Sequence, residues 1–151
     1  SRLGKRISEE TTDCMKIIQT TAKAMGKMYG KLFCDCFGEW HEHHIPDFVL
    51  LSVTDSEDDI MGFLSCFQSK QDEVYVMWGG FREEYRGIGV RGKIKQARDY
   101  LHERYKSVIT TVENSNTVML KLYLSLGYLI YGIKYSKDHH TYVELISQKE
   151  Q

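Results

Sequence analysis

Apolar residues recur at three- and four-residue intervals through the first quarter of the chain: Cys14, Ile17, Ile18, Thr21, Met25, Met28, Tyr29 and Leu32. That spacing predicts a helix over 9–33 with these positions on one face. Ser8 can cap it, and Glu9 and Glu10 lie in the first turn, where the helix dipole favours acids. Gly26 and Gly30 weaken its second half and predict a kink or break. Residues 34–46 read as a loop or short helix closed by Pro46. The pattern then changes to strands. Phe48–Thr54, Ile60–Gln68 and Glu73–Phe81 are rich in β-branched and aromatic residues. The polar turns Thr54–Asp59 and Ser69–Asp72 separate them, and such short connections make them antiparallel neighbours. Helical spacing returns over 89–105 through Val90, Ile94, Ala97, Leu101 and Tyr105. A strand follows over 107–112, then a helix over 116–126 ended by Gly127. Tyr128–Tyr135 and Tyr142–Ile146 form a closing hairpin. The predicted order is helix, three-strand meander, helix, strand, helix, hairpin, a mixed α/β layer fold.

Composition adds bounds rather than detail. A chain of 151 residues suits one domain with one core, 1–151, and no repeat or linker divides it. A formal net charge of −1 does not favour nucleic acid or an anionic membrane as partner of the whole molecule. No apolar run is long enough to span a bilayer. The charged start, Ser1-Arg2-Leu3-Gly4-Lys5-Arg6, has no apolar stretch behind it, so no signal peptide is expected. The cysteines at 14, 34, 36 and 66 read as buried or free thiols in a reducing, cytoplasmic setting.

The segment from Phe81 to Gly92 is the most informative. A strand runs into Arg86-Gly87-Ile88-Gly89-Val90-Arg91-Gly92 and then a helix. Glycines let backbone approach an anion, and the unpaired N–H groups of a first helical turn point at it. Arg86, Arg91 and Lys93 add positive charge, which suits a pyrophosphate. Neither G-x-G-x-x-G nor G-x-x-x-x-G-K-[ST] is present. The plainer alternative is an ordinary strand–turn–helix corner with surface arginines.

Tyr85-Arg86-Gly87-Ile88-Gly89-Val90 resembles the acetyl-CoA pyrophosphate loop of the GNAT superfamily of N-acetyltransferases, R/Q-x-x-G-x-G/A. Arg91 stands where that family has Gly or Ala. Downstream, Asn116 leads seven residues later to Tyr123 and then to Gly127-Tyr128, similar to the family's second signature. Ile60-Met61-Gly62-Phe63 resembles the strand before the cofactor strand, and Arg6–Ile18 the opening strand and first helix. The resemblance covers nearly the whole chain in order. It implies a mixed, mostly antiparallel central sheet flanked by helices, with acetyl-CoA or another acyl-CoA as co-substrate.

The resemblance also implies roles. The cofactor would lie along the strand ending at Phe81 and be held by Phe81, Arg86, Gly87, Ile88, Gly89, Val90, Arg91, Asn116 and Tyr123. Tyr123 would protonate the leaving thiolate, since a phenol keeps its proton at neutral pH. The alternatives are a core aromatic for Tyr123 and a helix N-cap for Asn116. Tyr75 occupies the place of the family's glutamate base, and Glu73 lies two residues earlier on the same strand face. Gly79 and Gly80 would admit the acceptor closely, or mark a bulge.

Cys34-Asp35-Cys36 and Glu39-Trp40-His41-Glu42-His43-His44 pack several ligand types into a short stretch, and His139-His140 lies in the hairpin. C-x-C followed by H-x-H-H lacks finger spacing, so no metal is expected. Trp40, His43, His44, His139 and His140 are expected to serve the acceptor. His102 reads as solvated on an exposed helix face. The expected partner is an amine-bearing small molecule or protein, and the chain is expected to be a monomer or homodimer without a membrane role. Two other readings stay open: an acyl-CoA-binding or protein-interaction module that does little chemistry, and an acyltransferase for a nucleic-acid base.

Overall fold

The computed structural model describes residues 15–87 and 89–150. In chain order these form β1 (Lys16–Thr20), α1 (Ala22–Met25), α2 (Lys27–Phe37), β2 (Phe48–Val53), β3 (Ile60–Lys70) and β4 (Glu73–Phe81). A 3₁₀ turn (Glu83–Tyr85) leads to α3 (Val90–His102), β5 (Ser107–Glu113), α4 (Thr117–Ser125), β6 (Leu129–Tyr135) and β7 (Thr141–Gln148). The strands hydrogen-bond in the order β1-β2-β3-β4-β5-β7-β6. β4 and β5 pair in parallel; β1–β2, β2–β3, β5–β7 and β6–β7 are antiparallel. The expected mixed, mostly antiparallel sheet with flanking helices is what forms.

The helix expected over 9–33 is corrected. Its first part, 9–14, with the Ser8 cap, Glu9, Glu10 and Cys14, lies outside the described residues. From Lys16 the chain is a strand, with Ile17 opposite Ser52 and Ile18 opposite Leu51. Two adjacent isoleucines in a five-residue segment fit either period, and pairing with β2 decides it. The helical part is broken at Gly26, whose φ of +59° ends α1 while its N–H bonds Ala22 O. Met28 points outward, whereas Tyr29, Leu32, Phe33 and Cys36 are buried. Gly38, at φ +82°, closes α2 with its N–H on Cys34 O.

The described chain packs as two compact units. The first takes the chain up to Cys66 together with Trp78–Ala97; the second takes Phe67–Met77 and Arg98 onward. In the first, β2 is buried along its whole length, as a strand covered on both faces requires. Its Val49, Leu51 and Val53 pack with Tyr29, Leu32, Phe33 and Cys36 of α2 and Phe63 of β3. In the second, β5 and β7 bury alternate residues, Val108, Thr110 and Val112 against Val143, Leu145 and Ser147, the two-residue period of a half-covered antiparallel pair.

His102 belongs to this second core and is not solvated. It is 9% exposed. Its Nδ1 meets Tyr105 O at 3.0 Å and its Nε2 meets Ser147 Oγ at 2.9 Å. The helix that carries it stops at His102 rather than at Tyr105, so the ring caps the chain as it turns into β5.

Candidate functional site

The first unit holds the end of β4, the glycine turn and the start of α3. Gly87 has φ +94° and Gly89 φ +74°, a region L side chains avoid. A Cβ on Gly87 would meet nothing within 4 Å, so its glycine serves the turn and leaves open space beside it. α3 starts one residue after Gly89, and Lys93 N bonds Gly89 O at 3.1 Å. The amides before Lys93 in this first turn have no carbonyl four residues back inside the helix, which is the arrangement that receives an anion. Ile88 lies outside the described residues.

The arginines of this turn have protein partners. Arg86 Nε donates to Phe81 O at 2.9 Å, and its Nη2 donates to Cys36 O at 2.5 Å. Arg82 Nη2 pairs with Asp35 at 3.1 Å. Both arginines thus grip the last turn of α2, where helix carbonyls lack intrahelical partners. Lys93 Nζ donates to Tyr85 O at 3.2 Å and stands 5.5 Å from the Phe81 ring centre. In this structure Arg86 braces the turn from behind.

Gly79 and Gly80 are explained by packing. A Cβ at Gly79 would come within 2.6 Å of Leu64 Cδ2; one at Gly80 would lie 3.1 Å from both Cys36 Cβ and Phe37 Cζ. α2 therefore lies directly on β4 at Gly80. Gly62 is tighter still, 2.3 Å from Gly80 O. Close approach is the right physical reading of these glycines, and the approaching groups are the protein's own.

Beside this sits an aromatic and imidazole cluster that sequence reading did not assemble. Phe33, fully buried, contacts Phe37, Trp40, His41, His43, Phe63 and Trp78 with ring centres 4.7–5.9 Å apart. His41 stacks on Trp78 at 5.5 Å and 7°. The i, i+4 spacing of Tyr29, Phe33 and Phe37 was the available signal. His43 Nδ1 meets His41 O at 2.7 Å, and its Nε2 meets Tyr29 Oη at 2.7 Å. A carbonyl only accepts, so in the neutral ring Nδ1 carries the proton and Tyr29 donates to Nε2. Ser65, fully buried, then donates to Tyr29 across 2.8 Å. Trp40 is 46% exposed and His44 is exposed. Burial pushes the Cys36 thiol up to about 11, against the pull of Arg86 and Arg82. Among the described residues no three His, Cys, Asp or Glu side chains are grouped to hold a metal ion.

The second unit carries the remaining candidates. The parallel register of β4 with β5 ends at Val76 opposite Thr110, and Thr110 Oγ1 donates to Val76 O at 2.9 Å. Burial pushes the Tyr123 phenol up to about 12, partly offset by its hydrogen bond with Thr110. Its ring meets Tyr128 edge-on at 4.9 Å. Asn116 is the N-cap of α4, its Oδ1 accepting from Met119 N at 3.3 Å. Tyr75 shares a 3.0 Å hydrogen bond with Thr111. Glu73 accepts from Ser69 at 2.9 Å, at the opposite end of β4 from Phe81. In the hairpin turn His139, at φ +64°, hydrogen-bonds Tyr135 at 2.7 Å, and His140 pairs with Glu113 at 2.7 Å.

No protein-family model and no curated protein sequence matches the chain. Solved structures do. A spermidine/spermine N-acetyltransferase SpeG from Vibrio cholerae, solved with manganese ions, aligns at a TM-score of 0.69 and 13% identity over 92% of this chain and 94% of that one. An IAA acetyltransferase from Bacillus cereus aligns at 0.68 and 12% identity over 90% and 100%. The chain has the GNAT fold. A Bacillus anthracis protein assigned as a streptothricin acetyltransferase, in complex with acetyl coenzyme A, aligns at 0.57 and 16% identity over 72% of this chain. This GNAT-fold chain spans 65% of that protein's length. At such identities the likeness is one of fold.

Proposed function

We propose that this chain, as one GNAT-type domain, transfers an acetyl or similar acyl group from acyl-CoA to an amine. The observation that carries this is the turn at Gly87 and Gly89, with positive φ at both and open space beside Gly87, feeding amides into α3 after the end of β4. Such a turn suits an anion, in a fold shared with acetyltransferases. Phe81, Gly87, Ile88, Gly89, Val90 and Arg91 receive the pyrophosphate and pantetheine, with Arg86 stiffening the turn. Asn116 supports the same ligand through the start of α4. The amine nitrogen attacks the thioester carbonyl, the C–S bond breaks, and the thiolate takes a proton from Tyr123, which solvent restores. A phenol whose pKa is held near 12 is fully protonated through neutral pH and so able to donate.

For the acceptor we propose Trp40, His43 and His44, with the acids Glu39 and Glu42 nearby in sequence to favour a cationic amine. Gly79, Gly80, His139 and His140 remain acceptor candidates. His43 with its Nε2 engaged by Tyr29 suits positioning better than proton abstraction. Tyr75 and Glu73 are both hydrogen-bonded to neighbours and relay a proton only through water. Structural neighbours that are acetyltransferases of spermidine/spermine and of nourseothricin support an amine acceptor.

Calorimetry tests the reading. Acetyl-CoA should bind wild type and fail to bind Gly89→Trp. Tyr123→Phe should keep acetyl-CoA affinity and lower kcat with a panel of amines by about 10²-fold. Absence of any response to acetyl-CoA or CoA at millimolar concentration removes the proposal.

A further inference from the structure

The last cross-strand pair of the parallel β4–β5 ladder is Val76 with Thr110, and a side chain ties the two strands there. Thr110, 6% exposed, donates from Oγ1 to Val76 O at 2.9 Å. The same hydroxyl is hydrogen-bonded to the phenol of Tyr123, which α4 carries. Thr110 is buried and Tyr123 only partly so. One hydroxyl is therefore shared between a backbone carbonyl and the residue assigned above as the acid.

Counting protons fixes the direction of this chain. A hydroxyl carries one proton, and a carbonyl only accepts. The Thr110 proton is committed to Val76 O, so Tyr123 donates its own proton to Thr110 Oγ1. That arrangement serves a phenol. A phenolate needs a donor instead, and rotation about the Thr110 Cβ–Oγ1 bond supplies one by turning the hydroxyl proton from Val76 O to the Tyr123 oxygen. No heavy atom has to move. Hydrogen bonds to ionised groups are about twice as strong as those between neutral ones, so the bond gained on turning outweighs the bond given up.

We propose that Thr110 is a positioning residue for acyl transfer, its hydroxyl holding the Tyr123 phenol in place at rest and turning to stabilise the phenolate once the proton has left. This rests on the reading of Tyr123 as the acid. The amine nitrogen bonds the acyl carbon, the C–S bond breaks with its electron pair on sulfur, and sulfur takes the Tyr123 proton. Thr110 donates a hydrogen bond to the phenolate and keeps its own proton. Solvent accepts the proton that the attacking amine loses and returns one to Tyr123, and Thr110 swings back to Val76 O.

CoA release from acetyl-CoA with hydroxylamine as nucleophile tests this. Hydroxylamine is small and uncharged at neutral pH, so it needs neither an acceptor pocket nor a base. Thr110→Val keeps the shape and removes the hydroxyl. It should lower kcat about 10–100-fold while the Kd for acetyl-CoA, by calorimetry, stays within about 2-fold. Thr110→Ser keeps the hydroxyl and should restore kcat to within about 3-fold of wild type. Ser147→Ala removes another buried hydroxyl of the same core; it should lower Tm and leave kcat unchanged. In a Tyr123→Phe background Thr110→Val should slow turnover no further. If Thr110→Val does not fold, Thr110→Cys, whose thiol is a weak donor, should still lose at least about 5-fold in kcat. A foldable Thr110→Val or Thr110→Cys at full speed beside a slow Tyr123→Phe would strike this inference alone, as would a Thr110→Val defect undiminished in Tyr123→Phe or a Thr110→Ser without rescue. Full turnover by Tyr123→Phe would remove the acid and this inference with it, and a wild type that binds no acetyl-CoA would remove the acyl-transfer reading as well.

Discussion

Replacing Gly62 by alanine isolates the tightest contact in the first unit. The added Cβ would stand 2.3 Å from Gly80 O, 2.8 Å from Phe81 Cδ1 and 3.0 Å from Phe81 Cα. Two of these three are backbone atoms of β4, which cannot rotate away. An ordinary carbon–oxygen contact needs about 1 Å more, so β3 and β4 must part where β4 enters the glycine turn. Overpacking of this kind costs about 1–3 kcal/mol. Against it stands the alanine's lower chain entropy in the unfolded state, about 0.5–1 kcal/mol in its favour. The net expectation is a loss of about 1 kcal/mol, or roughly 2–4 °C in Tm for a chain of this size. Gly132→Ala is the matched control. It too is a strand glycine, but its Cβ would meet the flexible carboxylate of Glu144, so it should change stability by no more than about 0.5 kcal/mol. Urea unfolding followed by fluorescence measures both. Equal midpoints for the two variants would show that backbone contact at Gly62 does not set the spacing of β3 and β4.

His102→Ala leaves the hydroxyl of Ser147, 5% exposed, without its imidazole partner, and should cost about 1–3 kcal/mol by thermal unfolding; a change within about 0.5 kcal/mol would return the ring to the surface. Stability should also fall in alkali. Burial raises the Cys36 thiol from 9.0 to about 11 and the Tyr123 phenol from 10.0 to about 12, so the native state holds these protons more tightly than the unfolded chain. Their contribution is complete below pH 9 and is lost as pH climbs from 9 through 11 and 12, by up to about 1.4 kcal/mol per unit for each group. A urea midpoint that stays flat between pH 8.5 and 10.5, or a slope undiminished in Cys36→Ala, contradicts this.

The parts of this fold that were legible in the sequence are those decided locally. β4 has the bounds its apolar run and flanking turns predict, Glu73–Phe81, and the glycines at 26, 87, 89 and 127 all take positive φ. What escaped was decided by tertiary pairing. Ile17 and Ile18 fit a helical face until β2 supplies a partner strand. His102, one residue past Leu101, needed the buried hydroxyl of Ser147, 45 residues away, to account for it. Arg86 reads as an anion ligand by position in the loop, and only the carbonyl of Cys36, 50 residues earlier, shows its other use. The phenol of Tyr29 and the imidazole of His43 were visible as residue types, but the His43 tautomer follows from the His41 carbonyl, and the hydroxyl of Ser65, 36 residues from Tyr29, completes the chain of hydrogen bonds.

The two-carbonyl grip of Arg86 has a mechanical consequence. A planar guanidinium fixed to Phe81 O by one nitrogen and to Cys36 O by another permits little rotation about either contact. The last turn of α2 and the mouth of the glycine turn are therefore riveted together, with the Arg82–Asp35 pair as a second fastening. A displacement of α2, whose buried face carries the Phe33 cluster, would reach the turn through the Arg86 guanidinium. A lysine in the same place has only a point charge on a flexible stem and would turn the rivet into a hinge.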